Sequence, residues 1–124
     1  MSQACIKVGC NISFVTAIEG SSVKMHICGD ISHLLPSLKK LKLDILDIDW
    51  QVNFNNARQW MNPEVAICGN LNPVIVQDST VDQITGLTST LVDSQRGKKF
   101  ILSAGCEISV NTPHQNLMAM RKVF

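Results

Sequence analysis

In MHICGD, Met25–Asp30, a histidine and a cysteine stand two residues apart. Successive side chains of a strand alternate between faces, so His26 and Cys28 point the same way, together with Lys24. An imidazole beside a thiolate suits zinc, for which three protein ligands and an exchangeable position mark a catalytic site. Two further residues have matching chemistry. Cys106 follows Gly105 in LSAGCE, and Asp49 ends LDILDID, where Ile45, Asp47 and Asp49 share one strand face and Leu46 and Ile48 the other. On its own the His26–Cys28 pair reads more readily as a core histidine bonded to backbone beside a buried cysteine. Cys68, next to Gly69, competes with Cys106 but reads as a core residue, and Cys5 and Cys10 carry no supporting pattern. His33 and His114 fall at predicted helix starts and are expected in solvent, whereas Trp50 and Trp60 are expected to pack under helices. The sequence contains no glycine-rich phosphate loop, no Ser-His-Asp order and no His-Glu-x-x-His motif.

These residues act together only if the elements carrying them end at one place. A strand is predicted from about Val23 to Cys28, leading into ISHLLPSLKKL, where Ile31, Leu34, Leu35, Leu38 and Leu41 fall on one helical face. Pro36 sits early in that helix, where proline is least harmful. A second strand spans about Asp44 to Asp49, followed by a short helix in VNFNNARQWM. EVAICGNLNP reads as a third strand and a tight loop, GNLNP, whose Gly69 and Asn70 tolerate unusual backbone and are candidates to line a pocket. Thr80 with Gln83 forms a capping-box pattern at the head of a helix with Val81, Ile84, Leu87, Leu91 and Val92 on its apolar face. KKFILSAGC is a fourth strand. Thr112 with Gln115 repeats the capping pattern, Pro113 suits the first helical position, and Leu117, Met118, Met120 and Val123 carry the last helix.

Strands alternating with helices imply parallel βαβ units with right-handed crossovers. The fold class is therefore α/β, with the candidate residues at the C-terminal ends of strands, where such folds build their sites. Periodicity leaves two closures open: a small doubly wound sheet, or part of a (β/α)₈ barrel, which in full takes about 250 residues. The chain has 124 residues, 45% hydrophobic and 17% charged, as expected of one globular domain. Its 11 basic and 10 acidic residues give a net charge of +1 and form no like-charge block, so neither nucleic acid nor an anionic membrane is an expected partner. Five widely spaced cysteines without a secretory leader argue against a disulfide scaffold and for a reducing, cytoplasmic setting.

Four stretches together, HICGD, LDILDIDW, AICGNLNP and FILSAGCEISVNTPHQNLMAM, resemble in order and spacing the C-terminal half of the uroporphyrinogen decarboxylase superfamily. The resemblance covers Val23 to Phe124; residues 1–22 form an N-terminal segment with no assigned role. It implies the C-terminal half of a (β/α)₈ TIM barrel, about four βα units, which self-associates or needs the missing half. Decarboxylases of the superfamily are similar through GNLDP, from which Asn72 departs, and carry Gly-His-Gly on the last strand, where this chain reads Gly105, Cys106 and Glu107. The other branch, the methylcobalamin:coenzyme M methyltransferases, binds zinc through a His-x-Cys and a later Gly-Cys. Resemblance to that branch implies His26, Cys28 and Cys106 as zinc ligands, with Asp49 as a further acidic ligand and Glu107 joining Gly69 and Asn70 at the pocket. It also implies methyl transfer from a methylated corrinoid on a partner protein to a small thiol such as coenzyme M. The alternatives are a metal-independent uroporphyrinogen decarboxylase-like lyase and a non-catalytic truncated barrel partner.

Overall fold

The computed structural model describes residues 20–124. Cys5 and Cys10 lie outside the described residues. Four strands, β1 (Lys24–Ile27), β2 (Ile45–Ile48), β3 (Ala66–Leu71) and β4 (Phe100–Ala104), form one sheet in the order β1-β2-β3-β4. Every pairing is parallel. The helices between and after them are α1 (Leu35–Leu38), α2 (Phe54–Trp60), α3 (Pro73–Asp78), α4 (Val81–Ser94) and α5 (His114–Lys122). Sequential parallel order with a helical crossover after each strand is the arrangement of consecutive (β/α) barrel units, not of a doubly wound sheet, in which the order reverses. Among the described residues no helix is long and apolar enough to cross a membrane.

The two faces of the sheet differ. Leu46, Ile48 and Ile67 are fully buried on one face, against Ile31, Leu35, Leu38, Val52, Phe54, Ala57 and Met61. Burying each such aliphatic side chain is worth about 1.5–3 kcal/mol, so this layer carries most of the folding drive. A second cluster, Val76, Ile84, Ala119 and Met120, receives Leu71 and Leu102 from the same face of β3 and β4. The strand register puts Lys24, His26, Asp47, Cys68, Asn70, Ile101 and Ser103 on the opposite face, where Ile101 is 39% exposed. In a closed barrel that second face is the interior.

Several predicted elements differ from those observed. The helix expected over ISHLLPSLKKL is a 3-10 turn, Ser32–Leu34, followed by the four residues of α1. Its apolar positions still face inward, because Ile31, Leu35 and Leu38 are buried. The loop expected at GNLNP does not form. Gly69, Asn70 and Leu71 continue β3, Asn72 caps a helix by accepting from the Val74 N–H, and Pro73 is the first residue of α3. Asparagine before proline is a helix start there, since the proline needs no N–H partner in the first turn. The Thr80–Gln83 capping box is present in both directions. Its counterpart at Thr112 is absent: Pro113 is the N-cap, no side chain caps α5, and the Thr112 hydroxyl is buried without a partner. On α4, Ile84 and Thr88 are buried while Val81 and Leu87 are exposed, so the inward stripe is narrower than its apolar residues suggest. Trp50 and Trp60 are 45% and 40% exposed and do not pack under helices, whereas His33 and His114 lie in solvent as expected.

Candidate metal centre

The C-terminal ends of β1 and β4 meet. His26 is the third residue of β1, and Cys28 follows the strand by one position. The His26 Nε2 lies 3.2 Å from the Cys28 Sγ, and the Cys28 Sγ lies 3.5 Å from the Cys106 Sγ. His26, Cys28 and Cys106 place one ligand atom each within 4.8 Å of one another. Cys28 is exposed, and His26 and Cys106 are half-buried, so the cluster opens to solvent at the strand ends.

Contacts behind the cluster explain its orientation. The parallel register sets His26 beside Asp47, and the His26 Nδ1 lies 3.2 Å from the Asp47 carbonyl oxygen. A carbonyl only accepts, so Nδ1 carries the proton in that bond and the Nε2 lone pair of the neutral ring faces the thiol. The Asp47 carboxylate stands 3.6 Å from the same Nδ1 and is held by Lys24, whose Nζ is 2.7 Å away. That bond raises the Lys24 pKa above 10.5. Next along the same face, burial pushes the Cys68 thiol from 9.0 up to about 11, with the Asp47 charge adding to it. Cys68 is thus a buried thiol, as read from the sequence, on the face opposite the two apolar clusters.

Cys106 owes its place to a close backbone approach. Gly105 donates its N–H to the Leu71 carbonyl at 2.7 Å. A Cβ on Gly105 would stand 2.2 Å from the Trp50 backbone nitrogen, so only glycine lets the end of β4 pass the turn after β2. The Asn70 amide fixes that turn from below, donating to the carbonyls of Asp49 at 3.1 Å and Val52 at 2.7 Å. Gly69, with φ +134°, is buried against Ile48, whose carbonyl oxygen would be 2.8 Å from an added Cβ.

Of the four residues singled out as ligands, the structure brings together three. Asp49 is buried at the end of β2 and lies outside the cluster; its Oδ1 accepts from the Gln51 N–H at 3.0 Å. Of the pocket candidates, Asn70 is half-buried with its amide committed to the β2 turn, Gly69 is buried, and Glu107 is exposed beside Cys106. The sequence reading missed Asp47 and Lys24 as support for His26. Their signal was the period of two in both strands, which needs only the register to become a contact.

The donor set fits zinc. Tetrahedral zinc with Zn–S of about 2.3 Å and Zn–N of about 2.0 Å holds two sulfurs about 3.8 Å apart and a nitrogen and a sulfur about 3.5 Å apart. The observed 3.5 Å and 3.2 Å each come within about 0.3 Å of those spacings. Two thiolates and one imidazole also form a three-ligand set that leaves a fourth position for substrate or water.

Fold and cluster together describe a partial (β/α) barrel with the His26–Cys28–Cys106 cluster at the strand C-termini. A family model, uroporphyrinogen decarboxylase (URO-D), matches residues 9–124. The chain belongs to the uroporphyrinogen decarboxylase family. It is 32% identical over 83 residues to the chloroplastic uroporphyrinogen decarboxylase of Nicotiana tabacum, a match covering 67% of this chain and 21% of that protein. It is 30% identical over 88 residues to the uroporphyrinogen decarboxylase of Methylobacillus flagellatus, covering 71% and 25%. A methyltransferase from Methanosarcina mazei has the same fold, with a TM-score of 0.78 at 20% identity over 90% of this chain and 33% of that one. The chain therefore spans a fifth to a third of the length of the proteins it matches.

Proposed function

We propose that this chain is the metal-binding C-terminal part of a zinc-dependent methyltransferase, moving a methyl group from a methylated corrinoid to a thiol. One observation carries the reading: His26, Cys28 and Cys106 gather a nitrogen and two sulfurs within 4.8 Å of one another on the open end of the sheet, with the Cys28 Sγ at 3.2 Å from the His26 Nε2 and 3.5 Å from the Cys106 Sγ. Zinc held there would lower the pKa of a substrate thiol from its usual value of about 8.5, so that thiolate forms at neutral pH. The chain's own residues do the rest. Asp47 holds His26 in the tautomer that offers Nε2, and Gly105 lets Cys106 reach Cys28. Asn70 keeps the β2 turn in place beside them. The corrinoid belongs to a partner protein in this reading.

Metal analysis tests the reading. The reduced chain is expected to hold one zinc, and Cys106→Ala to hold none under the same conditions. Wild-type chain that stays metal-free when offered zinc would sink the proposal.

A second reading rests on the relatives, which are named uroporphyrinogen decarboxylase at about 30% identity. It makes the chain part of a metal-independent lyase acting on a porphyrinogen carboxylate. Cys106 stands against it, since the resemblance implies histidine after that glycine in decarboxylases.

A further inference from the structure

We propose that Cys28 and Cys106 close into a reversible disulfide when the cluster holds no metal, so that oxidation and metal binding exclude each other. The inference rests on the metal reading only for that competition; the disulfide itself stands on the geometry of the two thiols. Their sulfurs are 3.5 Å apart, although the residues are separated by 78 positions in sequence. Contraction to the disulfide length of about 2.0 Å needs about 1.5 Å of relative movement. Both cysteines lie beyond the last paired residues of their strands, and Gly29 adjoins Cys28 in open space, so Cys28 can supply the movement without disturbing the ladder. Cys28 is exposed, giving a small oxidant access.

The oxidant is a low-molecular-weight disulfide. One cysteine, as thiolate, attacks it, forms a mixed disulfide and releases one small thiol. The second cysteine attacks the protein sulfur of that mixed disulfide and releases the other small thiol. The two cysteines lose two electrons and two protons, and the oxidant becomes two thiols. A dithiol reductant reverses both steps. Neither sulfur of the closed disulfide is a thiolate, so two of the three donors are lost to zinc. Cys68 is an internal control: it is 3% exposed and is expected to stay unreacted with the oxidant in the folded chain.

The experiment uses the full 124-residue chain, reduced and freed of metal by a chelator, then exposed to oxidised glutathione. Trypsin cleaves after Lys24, Lys39, Lys99 and Arg121, which places Cys28 and Cys106 on separate peptides. Non-reducing mass spectrometry is expected to find residues 25–39 linked to residues 100–121, with the link lost on adding dithiothreitol and absent from Cys106→Ser. Zinc-loaded chain is expected to resist linkage, and forced oxidation to release one zinc per link formed. Two results overturn the proposal: Cys28 and Cys106 of the metal-free chain ending as separate glutathione adducts, in other pairings or as unreacted thiols, or linkage in zinc-loaded chain that leaves the zinc bound. A linked peptide from a chain that never binds zinc would sink the metal reading while leaving the disulfide standing. Bound zinc with no linked peptide from the metal-free chain does the reverse.

Discussion

Gly105 and Gly69 are constrained by backbone, not by side chains, which yield more easily. At Gly105 the obstacle is the Trp50 backbone nitrogen, and at Gly69 the Ile48 carbonyl oxygen. Gly105→Ala is expected to cost about 2–4 kcal/mol and to weaken zinc binding at least tenfold, because it shifts Cys106 away from Cys28. Urea melts and a zinc-chelator competition check the two effects separately; unchanged zinc affinity would refute the positional role of Gly105. Cys68 makes a different prediction. Its thiol is held protonated by burial up to about pH 11, while the unfolded chain releases that proton near 9.0. The folded state binds more protons between those values, so stability is full below pH 9 and falls as pH rises toward 11. Lys24 acts in the same direction at higher pH, since its raised pKa favours the folded state until that charge is lost. Cys68→Ala is expected to flatten the fall between pH 9 and 11 in urea melts.

Helix ends decide how the elements join. Asn116 on α5 is 1% exposed, and its amide donates to the carbonyls of Val76 at 2.8 Å and Ser79 at 2.9 Å, tying α5 to the end of α3. Asn116→Ala is expected to cost about 1–3 kcal/mol by leaving both carbonyls short of a donor. Thr80→Ala removes a capping box and is expected to cost about 1 kcal/mol. Thermal melts rank the two, and an Asn116 variant no weaker than the Thr80 variant would contradict the tie. The Thr80 box was readable because a cap is local, needing only residues three apart. Thr112 shows the same spacing, but Pro113 takes the cap position and the Thr112 hydroxyl is buried elsewhere. The opposite error occurred at Asn72–Pro73, where turn-forming residues begin a helix because the chain beyond, Val74–Asp78, can supply its turns.

At the scale of the molecule, among the described residues, one face of an all-parallel sheet lacks the apolar layer that covers the other. Both core clusters draw their strand residues from the Leu46, Ile67 and Leu102 side. Among the described residues β1 and β4 each pair on one edge only. Parallel sheets are covered on both faces in stable folds, and open edges invite pairing with other chains. The chain by itself is therefore expected to associate as its concentration rises, and supplying the four preceding βα units of a family member is expected to suppress this. Sedimentation velocity measures both, and a chain that stays monomeric at high micromolar concentration would refute the first expectation.

The order of strands and helices, and the residues buried beneath the helices, were determined by the sequence, because period-two and helical apolar patterns are local properties. So was the shared side of His26 and Cys28, since a His-x-Cys on a strand must present both groups to one side. Tertiary structure decided which cysteine completes the cluster. Cys68 and Cys106 both adjoin a glycine, but Cys68 lies buried within β3 on the polar face while Cys106 passes the strand end. It also decided that Asp49 caps the Gln51 N–H instead of joining the thiols, and that Asp47 stands behind His26. Those outcomes depend on the register between strands and on backbone approach across dozens of residues, distances that no local pattern encodes.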